Sequence, residues 1–207
     1  MKNDYIIRIE TSADYSEVEN LTREAFWNVY RPGCLEHYVL HRYRTRPDFI
    51  PELSLCLTVD NKIIAHVMYA RSEIHADDGR IIPIMTFGPI SVAPDFQHKG
   101  YGTILLQYSM KKAKKLGAKA LAITGNINFY GKSGFAVAST KGIHYYAVPR
   151  EDEASFFLIK ELEEGFLDGI TGTYADPDGY DCEGVNIDTF DAQFPPKKKL
   201  KLPGQLV

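Results

Sequence analysis

Cysteine is scarce and falls into no pattern. Only Cys34, Cys56 and Cys182 occur in 207 residues, an odd number at wide spacing, which sets aside both a disulfide framework and a paired-cysteine metal site. Long apolar runs are missing too: none approaches the roughly 20 residues that a membrane-spanning helix needs. The opening "MKNDYIIRIE" carries charge within its apolar stretch, unlike a secretory signal. An excess of one charge is also lacking, since 24 Lys and Arg stand against 27 Asp and Glu for a net charge of -3. That balance argues against nucleic acid, whose phosphates call for a strongly basic face. These absences together read as a cytoplasmic protein with neither nucleic acid nor a membrane as partner. With 44% hydrophobic residues, the chain has the composition and length of one ordinary globular core.

The periodicities alternate between strand and helix. "YIIRIE" reads as a first strand, and residues 11–30 as a helix with Val18, Leu21, Ala25 and Phe26 at helical spacing, cappable by Thr11, Ser12 or Asp14. "CLEHYVLHRYRT" predicts a second helix closed off before Pro47, and "LSLCLTVDNKIIAHVMYARSEI" two strands joined by a hairpin at Asp60-Asn61. The next strand is interrupted at Gly88-Pro89, where a proline predicts a bulge or splay. Residues 101–116 predict an amphipathic helix with Ile104, Leu105, Tyr108 and Ala113 near one face, ended by Gly117. "AKALAIT" is a further strand, "INFYGKSGF" a short helix or turn, and "IHYYAV" and "SFFLIKEL" the last two strands. The fold class is α/β, with a mixed sheet. Residues 1–175 read as one domain and 176–207, where periodicity fades, as a C-terminal extension or loosely held tail.

The stretch "PDFQHKGYGTILL" joins a strand to a helix through Gly100 and Gly102. Such a turn presents unpaired N–H groups at the positive end of a helix dipole, a match for a pyrophosphate. It is not a dinucleotide fingerprint. The third glycine position is Leu105, and the following strand ends in Thr124-Gly125-Asn126 with no acid to hold a ribose hydroxyl. Nor is it a Walker loop, since no Gly-Lys-Ser/Thr follows.

"ISVAPDFQHKGYGTILL" resembles motif A of the GCN5-related N-acetyltransferases (GNAT), a Q/R-x-x-G-x-G/A pattern after a strand, filled by Gln97, Gly100 and Gly102. "NFYGKSGF" is similar to the family's second signature, with Tyr130, Gly134 and Phe135 in place. The resemblance extends over roughly residues 4 to 160 and is nearest the YhbS-like predicted acetyltransferases. It implies a single GNAT-type domain with a mostly antiparallel central sheet, splayed at the acetyl-CoA site and flanked by helices. It implies acetyl-CoA as cosubstrate and no metal. Ile90, Ser91 and Val92 would offer backbone groups to the pantetheine. The loop of Gln97, His98, Lys99, Gly100, Tyr101, Gly102 and Thr103 would wrap the pyrophosphate. Asn126 would contact the pantetheine arm or else cap a short helix. Tyr130 matches the family tyrosine near the sulfur, a general acid or a packing ring.

An ordinary amine is mostly protonated at neutral pH, and presenting it neutral costs roughly 4–5 kcal/mol, so a base or water chain is required. Some family members carry a glutamate on the motif A strand. Its place falls near Thr86, which cannot serve, leaving His66 and Glu73 on the preceding strand. His66 reads equally as a hydrogen-bonded core residue. His37 and His41 share a helix face, but Tyr38 stands where a zincin has glutamate, and they read as solvated or acceptor-pocket residues. Phe26, Tyr30, His37 and Tyr145 fall where the family builds its acceptor site. A homodimer through the last strands is compatible with the sequence. The expected activity is direct acetyl transfer from acetyl-CoA to a primary amine, with a non-catalytic acyl-CoA-binding module as the competing reading.

Overall fold

The computed structural model describes residues 4–206. The described residues form nine strands and five α-helices: β1 Tyr5–Ile9, α1 Tyr15–Phe26, α2 Glu36–Tyr43, β2 Leu55–Val59, β3 Lys62–Ala76, β4 Ile81–Val92, α3 Tyr101–Lys115, β5 Ala120–Thr124, α4 Ile127–Tyr130, β6 Ala136–Val137, β7 Ile143–Tyr145, β8 Phe157–Glu161, β9 Gly172–Tyr174 and α5 Ile187–Asp191. The pairing order is β1-β2-β3-β4-β5-β8-β6, with β9 on β3 and β7 on β9. The β4/β5 and β7/β9 pairs are parallel. The expected mixed, mostly antiparallel sheet is the one observed.

The chain divides into two compact units, with β3, β4 and α3 running from one into the other. The first takes in the described residues of Met1–Met68, Pro89–Leu106 and Asp178–Val207. Here β1 pairs with β2 in register Tyr5↔Val59 to Ile9↔Leu55, and β2 turns into β3 through Asp60 and Asn61, both at positive φ (49° and 61°). That is the two-residue hairpin the Asp-Asn pair predicts. Asp14 starts α1, accepting hydrogen bonds from Thr11 N–H and Thr11 Oγ1, each 2.8 Å. The helix stops at Phe26, earlier than periodicity suggests, because Asn28 turns left-handed (φ 60°). Its Oδ1 accepts from Gly33 N–H at 2.9 Å and Leu200 N–H at 3.0 Å.

That last bond belongs to the C-terminal segment, which is packed rather than loose. Arg23, whose side chain is 1% exposed, donates from Nε to Asp191 Oδ1 at 2.6 Å and from Nη2 to Oδ2 at 3.1 Å. The Arg23 guanidinium lies 4.1 Å from the Trp27 ring centre, and Trp27 Nε1 donates to Lys198 O at 3.0 Å. Leu206 N–H bonds Tyr30 O at 2.8 Å. Long-range ion pairs and main-chain bonds hold this segment, so hydrophobic periodicity does not report it.

The second unit comprises Tyr69–Gly88 and Gln107–Pro177. Its core joins Ile74, Ile82, Ile84, Ala122, Phe157 and Tyr174. The last strands differ from expectation in that a third, β9, follows β7 and β8. β8 lies between β5 and β6, and β7 pairs with β9, a strand of only three residues. Helix α3 ends as Gly117 implies, with Ala118 N–H to Ala113 O and Gly117 N–H to Lys114 O, each 3.0 Å, the Schellman pattern. Its buried stripe is Leu105, Leu106, Ser109, Met110 and Ala113, while Tyr108 is 43% exposed. Ser109 can be buried because its hydroxyl meets Tyr69 OH at 2.8 Å.

Candidate functional site

In the first unit, β4 ends at Val92 and a 3-10 turn, Pro94–Phe96, leads to Gln97 in extended conformation. His98 then turns left-handed at φ 59° and Gly100 at φ 89°. For a residue other than glycine this costs about 1–2 kcal/mol, so the strain at His98 is held by its surroundings. Gln97 supplies one restraint, with Nε2 donating to Val92 O at 3.1 Å. A Cβ on Gly100 would meet nothing within 4 Å, so glycine is needed there for the backbone turn and not for space. The first helical return bond is Ile104 N–H to Gly100 O at 3.1 Å. The N–H groups just before it have no helical acceptor and sit at the positive end of the α3 dipole. Lys99 adds a cation, its Nζ 5.4 Å from the Phe96 ring centre. Phe96 meets Tyr101 edge-on at 6.0 Å. An anion such as a pyrophosphate fits this loop. On β4, the Ser91 side chain is 1% exposed and its Oγ lies 3.0 Å from Thr22 Oγ1. Ile90 and Val92 are half-buried.

In the second unit, β4 pairs with β5 at Met85↔Leu121 and Thr86↔Ala122, just before Gly88 (φ 131°) and Pro89, through which β4 runs without the expected interruption. Thr86 Oγ1 donates to Ala122 O at 3.1 Å. Asn126 caps α4, its Oδ1 accepting from Asn128 N–H at 2.8 Å. Of the two readings of Asn126, the cap is visible in the geometry, and its amide NH2 is left for other use. Tyr130 is 8% exposed in an aromatic cage: ring centres lie 5.8 Å from Phe87, 4.8 Å from Phe129 and 5.7 Å from Phe135. Gly125 faces it closely, and a Cβ there would fall 2.4 Å from Tyr130 Cε2. The second signature therefore builds a fixed ring position.

The family model "Acetyltransferase (GNAT) family" matches residues 18–135, more than half the chain. The chain belongs to the GNAT acetyltransferase family. Solved GNAT structures have the same fold at low identity. The GNAT family N-acetyltransferase YhbS of Escherichia coli, in complex with CoA, is 19% identical with a TM-score of 0.74, covering 87% of this chain and 93% of that one. A GNAT family acetyltransferase of Brucella melitensis, in complex with acetyl-CoA, is 21% identical with a TM-score of 0.68, covering 86% and 99%. The ribosomal-protein-S18-alanine N-acetyltransferase of Escherichia coli is 18% identical with a TM-score of 0.53, covering 77% and 95%. No curated protein sequence matches the chain.

The remaining residues singled out on this GNAT chain fall in varied places. His66 on β3 is fully buried, its Nε2 3.0 Å from Ser54 Oγ and 3.7 Å from Glu10 Oε1. Ser54 Oγ donates to Glu10 Oε2 at 2.7 Å, and Arg44 Nη2 to Glu10 Oε1 at 2.7 Å. Burial would push the Glu10 carboxyl up, but hydrogen bonds and charge from His66 and Arg44 outweigh it and hold Glu10 at about 2. His66 thus lies inside a buried polar network with Ser54 and Glu10. Glu73 is exposed and pairs with His75 at 3.0 Å.

His37 is fully buried, its Nδ1 3.3 Å from Cys34 Sγ and its Nε2 3.2 Å from Asp191 Oδ1. Burial pushes it down to about 4 despite Asp191. It serves the docking of the C-terminal segment. His41 is exposed and bonds Glu19 at 2.9 Å. No group of three or more His, Cys, Asp or Glu among the described residues is disposed to hold a metal, and no helix there is long and apolar enough to cross a membrane. Tyr30 is 43% exposed with its ring centre 6.1 Å from Phe26. Asp176, which sequence reading does not single out, accepts hydrogen bonds from two tyrosines.

Proposed function

We propose that this GNAT protein is a cytoplasmic enzyme that moves the acetyl group of acetyl-CoA directly to a primary amine of a small molecule or peptide. The observation that carries the reading is the loop of residues 97–103, where left-handed His98 and Gly100 bracket Lys99 at the start of α3. Fixed donors of this kind suit the pyrophosphate of coenzyme A. Backbone groups of Ile90, Ser91 and Val92 are assigned to the pantetheine, since the Ser91 hydroxyl is already used by Thr22. The backbone of His98, Tyr101, Gly102 and Thr103 and the charge of Lys99 are assigned to the phosphates. Gln97 fastens the loop to its strand. The amide NH2 of Asn126 is assigned to the pantetheine arm.

Chemistry then needs three things. The amine must lose a proton, its nitrogen must attack the thioester carbon, and the sulfur must leave as a thiol. Tyr130 is assigned to the last step, as the donor to the departing thiolate. An acetyl-cysteine intermediate has no support here. Burial pushes the Cys34 thiol up, pushes Cys56 to about 12, and raises Cys182 as well, so all three are poor nucleophiles. The test combines calorimetric CoA titration with thiol release from acetyl-CoA across a panel of amines. The proposal expects CoA binding, amine-dependent thiol release, and a large fall in turnover for Tyr130→Phe with CoA affinity kept. Binding without release for any amine would favour the non-catalytic reading.

A further inference from the structure

The amine must surrender a proton, and the residues read from sequence offer no poised acceptor: Thr86 has no carboxylate, His66 is enclosed, and Glu73 is exposed and paired with His75. The second unit holds another candidate just after β9. Tyr174 is 1% exposed and stacks on Phe157 at 4.8 Å. Its hydroxyl donates to Asp176 Oδ1 at 3.1 Å and lies beside the hydroxyls of Ser72 on β3 and Thr86 on β4. The second carboxylate oxygen of Asp176 accepts from Tyr145 OH. We infer that Asp176 is the base that takes the proton from the acceptor ammonium, held in place by Tyr145 and Tyr174. This rests on the reading of the protein as an amine acetyltransferase.

Three observations carry it. The pairing of β4 with β5 ends at Thr86, two residues before Gly88 (φ 131°), while β4 itself continues to Val92. The approach of Tyr174 to Thr86 therefore places Asp176 beside the end of that pairing. Second, Asp176 is only half-buried and its partners are hydroxyls. Three other carboxylates of the same unit are instead matched to cations: Asp77 to Arg150, Asp78 to Arg80, Glu161 to Lys141. Third, burial raises the Asp176 carboxyl above its ordinary value, while burial and the nearby carboxylate push both tyrosines up as well. The tyrosines thus stay donors and the carboxylate is the proton acceptor. Around Tyr145, the rings of Tyr146 (62% exposed, 5.2 Å) and Phe156 (44% exposed, 5.3 Å) form an open aromatic border suited to a cation.

The step balances. An acceptor R–NH3+ gives one proton to the Asp176 carboxylate. The neutral nitrogen forms the C–N bond as the C–S bond breaks, and its second surplus proton ends on the sulfur of CoA. Asp176 returns its proton to water after product leaves.

The experiment compares Asp176→Asn with the unaltered protein in single-turnover transfer from acetyl-CoA to two acceptor classes. Aliphatic amines are protonated at pH 7; hydroxylamine is mostly neutral there. Transfer to aliphatic amines is expected to fall by about 10²-fold or more, with transfer to hydroxylamine within a few-fold and CoA affinity unchanged. Tyr145→Phe, which removes only one hydroxyl, covers an Asn variant that fails to fold, and is expected to show the same selective loss in weaker form. An equal loss for both acceptors, or no loss, overturns the assignment of Asp176. An unaltered protein that binds CoA but acetylates neither class overturns the transferase reading itself, and this inference with it.

Discussion

Gly125→Ala is a one-carbon test of whether the placement of Tyr130 matters. Gly125 does not need its freedom for backbone reasons, since it is absent from the positive-φ positions. The effect comes from contact: the added Cβ would lie 2.4 Å from Tyr130 Cε2 and 3.1 Å from Cδ2. Real carbon contacts seldom fall below about 3.4 Å, so the ring must retreat by about 1 Å. It cannot do so freely, because Phe87, Phe129 and Phe135 enclose it. Overpacking of this kind costs about 1–3 kcal/mol of stability. A displacement of about 1 Å at a reacting group costs about 10²-fold in turnover. Denaturant unfolding and thiol release measure the two effects. In a Tyr130→Leu background the stability penalty is expected to shrink by about 1 kcal/mol or more, because the clashing ring is gone. If Gly125→Ala leaves stability and turnover unaltered, or if the penalty persists without the ring, the account of this cage is wrong.

Gly100→Ala meets no steric obstacle but must hold φ near 89°; it should cost about 1 kcal/mol and weaken CoA binding several-fold by calorimetry, with α3 intact by circular dichroism. His37 titrates near 4 when folded and near 6.5 when unfolded. The unfolded chain therefore binds the proton first, and stability should fall by up to about 3 kcal/mol as pH drops from 6.5 to 4. His37→Asn should flatten that slope in melts between those limits. The Glu10 contribution, with a folded value near 2, is lost only below its ordinary 4.5, so the two windows separate. Arg23→Ala leaves Asp191 without its buried guanidinium and strips the face of Trp27. A loss of about 3 kcal/mol and faster proteolysis within the last 20 residues or so are expected.

Local chemistry that acts through neighbours in sequence was legible. The Asp60-Asn61 turn, the Gly117 stop and the loop around Gly100 each follow from backbone preferences of one or two residues, whereas β4 continues through Gly88-Pro89, where an interruption is predicted. Both GNAT signatures also sit on their expected elements, the loop opening α3 and Tyr130 closing α4. What could not be read depends on partners far away in the chain. Arg23 meets Asp191 across 168 positions, so no periodicity marks either residue. β9 is three residues long and includes a glycine, too short for alternation to register. Asp176 stands in an Asp-Pro-Asp-Gly run that reads as a loop, and only folding brings it to Tyr145. His66 shows the converse: an imidazole in an apolar strand is chemically able, and its enclosure by Ser54 and Glu10 appears only in the fold.

The central claim is direct transfer from acetyl-CoA to an amine on this protein. A rapid-quench single turnover with labelled acetyl-CoA and a mixed amine panel tests it most directly, following label on amine and protein together with free thiol. The account predicts label on an amine in step with thiol release and none on the protein at any time. Label on a protein cysteine before it reaches the amine, or bound acetyl-CoA that never yields thiol, would contradict it.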